Sequence, residues 1–359
     1  MDNLGKIYIV STMAFFILTL FLIKIPLEYN EKIIKPAKNN FLPPNKEKIS
    51  QAEAKTVKML LVGDIMLDRR VKERIASQSL DYLFRGLDEL KLNNYDLINS
   101  NLEGAVTDGG FHYSPVYSYD FAFAPELIEK LRDYNFKIFN LANNHFSDQG
   151  ERGIVESRNN LAKLGDDFYG CRDGETGECS TGAINAGELK IGFAGFSMVY
   201  KKINLIAASD LIADLKTKTD FVIVNAHWGI EYEHNFSAAQ TEAAHKLIEA
   251  GADVIIGHHP HVVQGLEIYK NKLIFYSLGN FIFDQYFPRD TQEELAVELE
   301  INIPEPSRAV LIPLISEQSQ PSPMAGLEKE KYLEKIAGWS NGGDEFLKQI
   351  RKGEIEINF

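Results

Sequence analysis

The chain has 359 residues, 45% of them hydrophobic and 25% charged, with a formal net charge of −13. These are ordinary globular proportions, at a size that needs no disulfide scaffold and allows one large domain or two small ones. Acidity without a Lys/Arg-rich run in the globular part excludes a phosphate-backbone binding mode, so no nucleic-acid partner is expected; an anionic polymer would need a local site or a metal ion to hold it.

Residues 7–23, IYIVSTMAFFILTLFLI, form an uncharged apolar run between Lys6 and Lys24, and Pro26 follows. Seventeen helical residues span about 25 Å, enough for a bilayer core. No small-x-small cleavage site follows the run, so an uncleaved transmembrane signal anchor is expected rather than a removed signal peptide. Residues 24–55, rich in Lys, Asn, Pro and Glu without a sustained apolar period, read as a flexible linker. A globular domain is expected over 56–352.

Within that domain, short apolar runs indicate buried strands. They lie at 57–63, 96–104, 136–145, 189–197, 221–229, 253–261, 266–283 and 295–303, and the KNK turn within 266–283 suggests a hairpin. Helical periods fall between them at 125–134, 151–165 and 237–251; Ser237 suits an N-cap, and Gly165 and Gly251 suit stops. This alternation predicts an α/β fold with a largely parallel sheet, and the closer strands near the C-terminus predict a mixed or second sheet. Residues 304–359 hold an apolar run, AVLIPLI, an amphipathic segment and a final helix, read as an extension packed on the domain.

Six segments end the apolar runs with metal-capable residues: GDIMLD at 63–68, NLEG at 101–104, NNHFSD at 143–148, NAHWGIEYEH at 225–234, GHHPHVVQG at 257–265 and SLGNFIFD at 277–284. Ligands of α/β sheets gather at the carboxyl ends of strands, so these segments should converge. The inventory is Asp64, Glu103, Asn144, His227, His259 and His261, a carboxylate and imidazole set that suits Mn, Fe or Zn, with room for two ions. Each has a plainer reading. Asp64 fits a helix N-cap, Asn143 and Asn144 fit a turn, and His227 fits a hydrogen-bonded core histidine. Three imidazoles at 258, 259 and 261 are costly to bury without partners or metal. The spacing His259-x-His261 would put both rings on one side of an extended segment, with His258 facing away. Cys171 and Cys179 are either free thiols in a Gly-rich loop or a disulfide closing it.

The motifs GDIML, NLEG, NNHFSDQG, HWGIEY, GHHPHVVQG and SLGNFIFDQ, in this order across roughly 57–340, resemble the bacterial capsule-synthesis family of CapA/PgsA type, linked to poly-γ-glutamate production. That family is similar in fold to calcineurin-like metallophosphoesterases. The resemblance implies a four-layer sandwich of two mixed β-sheets flanked by helices. It also implies a metal set of Asp64, Glu103, Asn144, His227, His259 and His261, with His145 as general acid or oxyanion stabiliser. Asn101, His258 and Asn280 would contact and orient these groups. Met66 stands where the metallophosphoesterase Asp-x-His motif has histidine, and Asn101-Leu102-Glu103 replaces its Gly-Asp-x-x-Asp motif. The resemblance further implies a single-pass cell-membrane protein with its domain outside the cytoplasm, acting on an anionic polymer or a phosphate ester beside membrane-bound synthase or export subunits. A non-enzymatic accessory subunit of such a synthase or exporter is the alternative.

Overall fold

The computed structural model describes residues 55–304 and 307–357. Among them, no helix is long and apolar enough to cross a membrane. The expected anchor at 7–23 lies outside the described residues, as does the linker apart from Lys55, which already opens a strand. The expectation of a single-pass membrane location with an extracytoplasmic domain is withdrawn on this finding.

Two mixed sheets carry the fold. The first runs, in spatial order, Gln320–Pro323, Ser307–Glu317, Glu293–Ile303, Lys55–Ile65, Leu97–Leu102, Phe136–Asn140 and Asp167–Tyr169. Asn280–Ile282 pairs in parallel with the end of Lys55–Ile65, and Glu354–Ile357 pairs with Ser307–Glu317. The second sheet runs Leu266–Tyr269, Lys272–Phe275, Val254–His258, Phe221–His227, Leu189–Ser197 and Thr181–Ala186. Its four inner strands are parallel, and an antiparallel hairpin closes each edge.

Side-chain alternation explains the layering. Along Lys55–Ile65, Val57, Met59 and Leu61 face a core shared with Ile191, Phe193, Ile223 and Ile256 of the second sheet. The intervening Leu60 and Val62 face a second core with Val71 and Ile75 of the helix Arg69–Gln78. A third core packs the far face of the second sheet on the helices Leu205–Lys216 and Ala238–Glu249. The result is helices, sheet, sheet, helices: an α/β architecture in which strands buried on both faces read as continuous apolar runs.

The extension after 304 belongs to the first sheet. Ser307–Glu317 pairs with Glu293–Ile303 from Glu300↔Arg308 to Glu293↔Ile315, although Pro313 sits in its middle. Leu205–Lys216 is a helix that the apolar periodicity did not single out; Asn204 caps it, accepting from the N–H groups of Ile206 and Ala207.

Candidate metal centre

The carboxyl ends of parallel strands from both sheets meet at one place. Asp64 lies one residue before the end of Lys55–Ile65, and its register partners are Asn101 and Asn280. His227 and His258 end their strands as direct neighbours. Two glycines permit the close approach. A Cβ on Gly63 would lie 2.1 Å from the carbonyl oxygen of Gly279, and one on Gly257 would lie 1.8 Å from that of Tyr276.

All six expected ligand residues converge, almost completely buried. Single ligand atoms of Asp64, Glu103 and His261 lie within 4.8 Å of one another. Beside them, His227 Nε2 is 2.7 Å from Asn144 Oδ1, and the rings of His227 and His259 are 5.0 Å apart. The three residues expected to orient the ligands do contact them. Asn101 Nδ2 donates to Asp64 Oδ1 at 2.9 Å, His258 Nδ1 lies 3.0 Å from the same oxygen, and Asn280 Oδ1 is 2.9 Å from His261 Nδ1. His258 is anchored on its other side by Asn225.

The His259-x-His261 segment is not extended, which corrects the alternation argument. The strand stops at His258. His259 and His261 then adopt φ values of +97° and +58°, a backbone conformation that costs a non-glycine residue about 1–3 kcal/mol and clusters at functional sites. Their rings end 6.0 Å apart. Met66 also departs from the position of a ligand. It packs in the core between sheet and helices, and its sulfur accepts from the Asp68 N–H at 3.0 Å.

Electrostatics divides the site. Burial opposes ionisation of Asp64, but the His258 contact and the nearby His227 and His261 rings hold its carboxyl well below the ordinary range. Glu103 is the opposite case: burial first, then the Asp64 charge, push its carboxyl well upward. Neither Glu103 oxygen has a hydrogen-bond partner among the described residues. Burial, with the neighbouring imidazoles, lowers His227 well below its usual value and His259 to about 3. Neutral imidazoles keep a ring nitrogen lone pair for coordination, and His259 Nδ1 has no hydrogen-bond partner among the described residues. A buried carboxylate without donors and an imidazole with a free nitrogen fit a divalent cation better than a core polar network, where such groups are satisfied by hydrogen bonds.

His145 sits at the edge of the cluster. Its Nδ1 pairs with Asp148 Oδ2 at 2.7 Å, and its Nε2 lies 3.7 Å from Glu103 Oε1. Asp148 escaped the sequence reading, although it lies three residues after His145 in the motif NNHFSD; a carboxylate this close to a histidine was the available signal. A cleft of about 350 Å³ opens over the cluster, lined by Arg69, Tyr119, His145, Tyr200, Tyr232 and His261 among others.

Cys171 and Cys179 form a disulfide, with Cα atoms 5.3 Å apart. The loop it closes carries Asp173, whose carboxylate accepts from Ser197 Oγ at 2.6 Å and from the N–H groups of Val199, Tyr200 and Lys201 at 2.8, 3.1 and 3.0 Å. This fixes the backbone that brings the Tyr200 hydroxyl to 3.5 Å from Asn144 Nδ2. Replacing both cysteines by serine is expected to lower stability by roughly 2–3 kcal/mol, read from the urea unfolding midpoint.

The profile of the bacterial capsule synthesis protein PGA_cap family matches residues 58–285. The chain belongs to this family. This PGA_cap protein is 28% identical to the capsule biosynthesis protein CapA of Bacillus anthracis, over 86% of this chain and 80% of that one. It is also 28% identical to the PGA biosynthesis protein CapA of Bacillus subtilis (strain 168), over 83% and 81%. A probable polyglutamine synthesis accessory protein of Mycobacterium tuberculosis shares 26% identity over 53% of this chain and 56% of its own length. Among solved structures, a phosphatase from Mycoplasma pneumoniae superposes with a TM-score of 0.46 at 16% identity, covering 72% of this chain and 94% of that one. A putative 5′-nucleotidase from Staphylococcus aureus gives 0.45 at 14% identity, covering 83% and 58%. Likeness at this level assigns no activity to the PGA_cap protein.

Proposed function

We propose that this protein is a divalent-metal-dependent hydrolase or transferase of capsule-polymer biosynthesis, acting on a phosphate ester or on poly-γ-glutamate itself. Glu103 carries the reading: a fully buried carboxylate without hydrogen-bond donors among the described residues, facing Asp64 and His261. In its ionised form such a group is strongly unfavourable unless a cation shares the site. The names of the Bacillus relatives support the polymer part of the reading.

Asp64, Glu103 and His261 would hold one ion, and Asn144, His227 and His259 would extend the site towards a second; Mn, Fe or Zn suits these donors. A bound dication supplies Lewis-acid polarisation and a nucleophilic water near neutral pH. The chain's own residues do the rest. Asp148 fixes the orientation of His145, which leaves Nε2 at the cleft to protonate a leaving group or steady a developing oxyanion. Asn101 and His258 hold Asp64, and Asn280 holds His261, so neither ligand can turn away.

The alternative is a non-enzymatic accessory subunit that binds synthase or export subunits. It is favoured by Met66, which lies in the core where the resembling enzymes carry a ligand histidine. The two readings separate when full-length, metal-loaded protein is offered bis(p-nitrophenyl) phosphate and short γ-linked glutamate oligomers. Turnover of either probe, lost on chelation and restored by metal, is expected. Bound metal with both probes intact gives the accessory reading instead.

A further inference from the structure

We propose that Arg69 receives an oxyanion of the ligand at the mouth of the cleft; this rests on the reading that the cleft serves a metal centre. Arg69 is the single Arg or Lys among the described residues lining that cleft, which also include Glu231, in a chain of net charge −13. An anion approaching the cluster therefore meets one permanent cation.

The guanidinium is held in place by three contacts. It stacks over the Phe121 ring at 4.8 Å and the Phe283 ring at 5.7 Å, and its Nε donates to Asp284 Oδ2 at 3.1 Å while Nη2 meets Oδ1. The same two rings pack against the site: Phe121 lies 4.1 Å from the His145 ring and Phe283 lies 4.9 Å from the His261 ring. The charge thus stands one aromatic ring away from both histidines. Asp284 engages Nε and Nη2, and Nη1 has no hydrogen bond among the described residues. Asp284 also accepts from the Arg70 N–H at 3.2 Å, so its charge is shared with a second donor.

Two further observations separate Arg69 from an ordinary surface ion pair. Its φ is +51° at the first residue of the helix Arg69–Gln78, a strained conformation of the kind retained where function needs a side chain aimed. Arg69 and Gln285 also line an adjoining cleft of about 440 Å³ that passes Arg70, Asp284 and Phe287. The residue stands where the two spaces meet, suited to an anionic group flanking the reacting one. A guanidinium fork matches a planar carboxylate and a phosphate equally, so the class assigned is an oxyanion of either kind.

The test is equilibrium binding of inorganic phosphate and of glutarate to the full-length, metal-loaded protein, in the wild type, Arg69→Gln and Arg69→Lys. Arg69→Gln is expected to weaken at least one probe by roughly tenfold or more, and Arg69→Lys by less, with metal content near wild type and a folded protein whose melting temperature falls as Asp284 loses its partner. A larger loss for phosphate identifies a phosphate ester, and a larger loss for glutarate identifies a carboxylate-bearing chain. Wild-type affinity of Arg69→Gln for both probes, or no binding of either by the wild type, overturns the inference. Metal content is measured separately: metal-loaded protein with unchanged anion binding sinks the role of Arg69 alone, whereas a wild type without metal sinks the proposed function.

Discussion

Glu103→Gln is expected to abolish stoichiometric metal binding and, at the same time, to make the metal-free protein more stable by roughly 1–3 kcal/mol at pH 8. The two signs come from one cause. Glu103 is completely buried, its two oxygens find no hydrogen-bond donor among the described residues, and Asp64 stands beside it already ionised. Without metal, the folded state must carry a second buried negative charge or take up a proton. Glutamine has the same shape and no charge, so it removes that penalty. With metal, the carboxylate is what binds, and the amide is a poor substitute. The same burial sets the pH dependence. The folded carboxyl lies well above its ordinary value of 4.5, so between those values the folded state holds a proton that the unfolded chain has lost. Its contribution is complete below pH 4.5 and fades as pH rises through the folded value. Urea unfolding of metal-free wild type should therefore lose stability from pH 5 to pH 8 relative to Glu103→Gln. Equal pH slopes for the two proteins would count against a buried, unpaired Glu103.

His227→Ala is the second large effect. The ring is wholly buried, with Nε2 on Asn144 and Nδ1 3.3 Å from Asn101. Its loss is expected to weaken metal binding by more than about 100-fold, since even residues that only orient ligands contribute 10–100-fold. It should also lower metal-free stability by about 2–3 kcal/mol, because Asn144 and Asn101 each lose a partner and a cavity opens. His259→Ala should lose metal to a similar extent with a smaller stability change, because His259 Nδ1 has no partner among the described residues to strand. Competition against a chromophoric chelator reads the first quantity and urea unfolding the second. Unchanged metal affinity in both variants would place these histidines outside the centre.

Why so much of this arrangement was legible in the chain is a matter of strand ends. Apolar runs buried on both faces are easy to see, and polar residues that interrupt them at Asp64, Asn101, His227 and His258 mark where the strands stop. Parallel pairing brings these ends together within each sheet, and the packing of the two sheets on a shared core joins the two groups. The course of the chain beyond a strand end is less legible. The positive φ values of His259 and His261 come from how the loop must turn beneath Asp64, whose Oδ2 accepts the His259 N–H at 3.3 Å, and no local pattern announces that. Arg69 was hidden for a related reason: its partner, Asp284, is distant in sequence. Pro313 obscured the strand Ser307–Glu317, since a proline usually marks an edge or a break.

We propose that the buried cluster of Asp64, Glu103, Asn144, His227, His259 and His261 holds divalent metal. Elemental analysis of the full-length protein, purified without chelator and without metal-affinity resin, tests it most directly. One or more equivalents of Mn, Fe or Zn per chain are expected, and none in Glu103→Gln. A well-folded wild type carrying less than about a tenth of an equivalent, both as purified and after incubation with each metal, would contradict it.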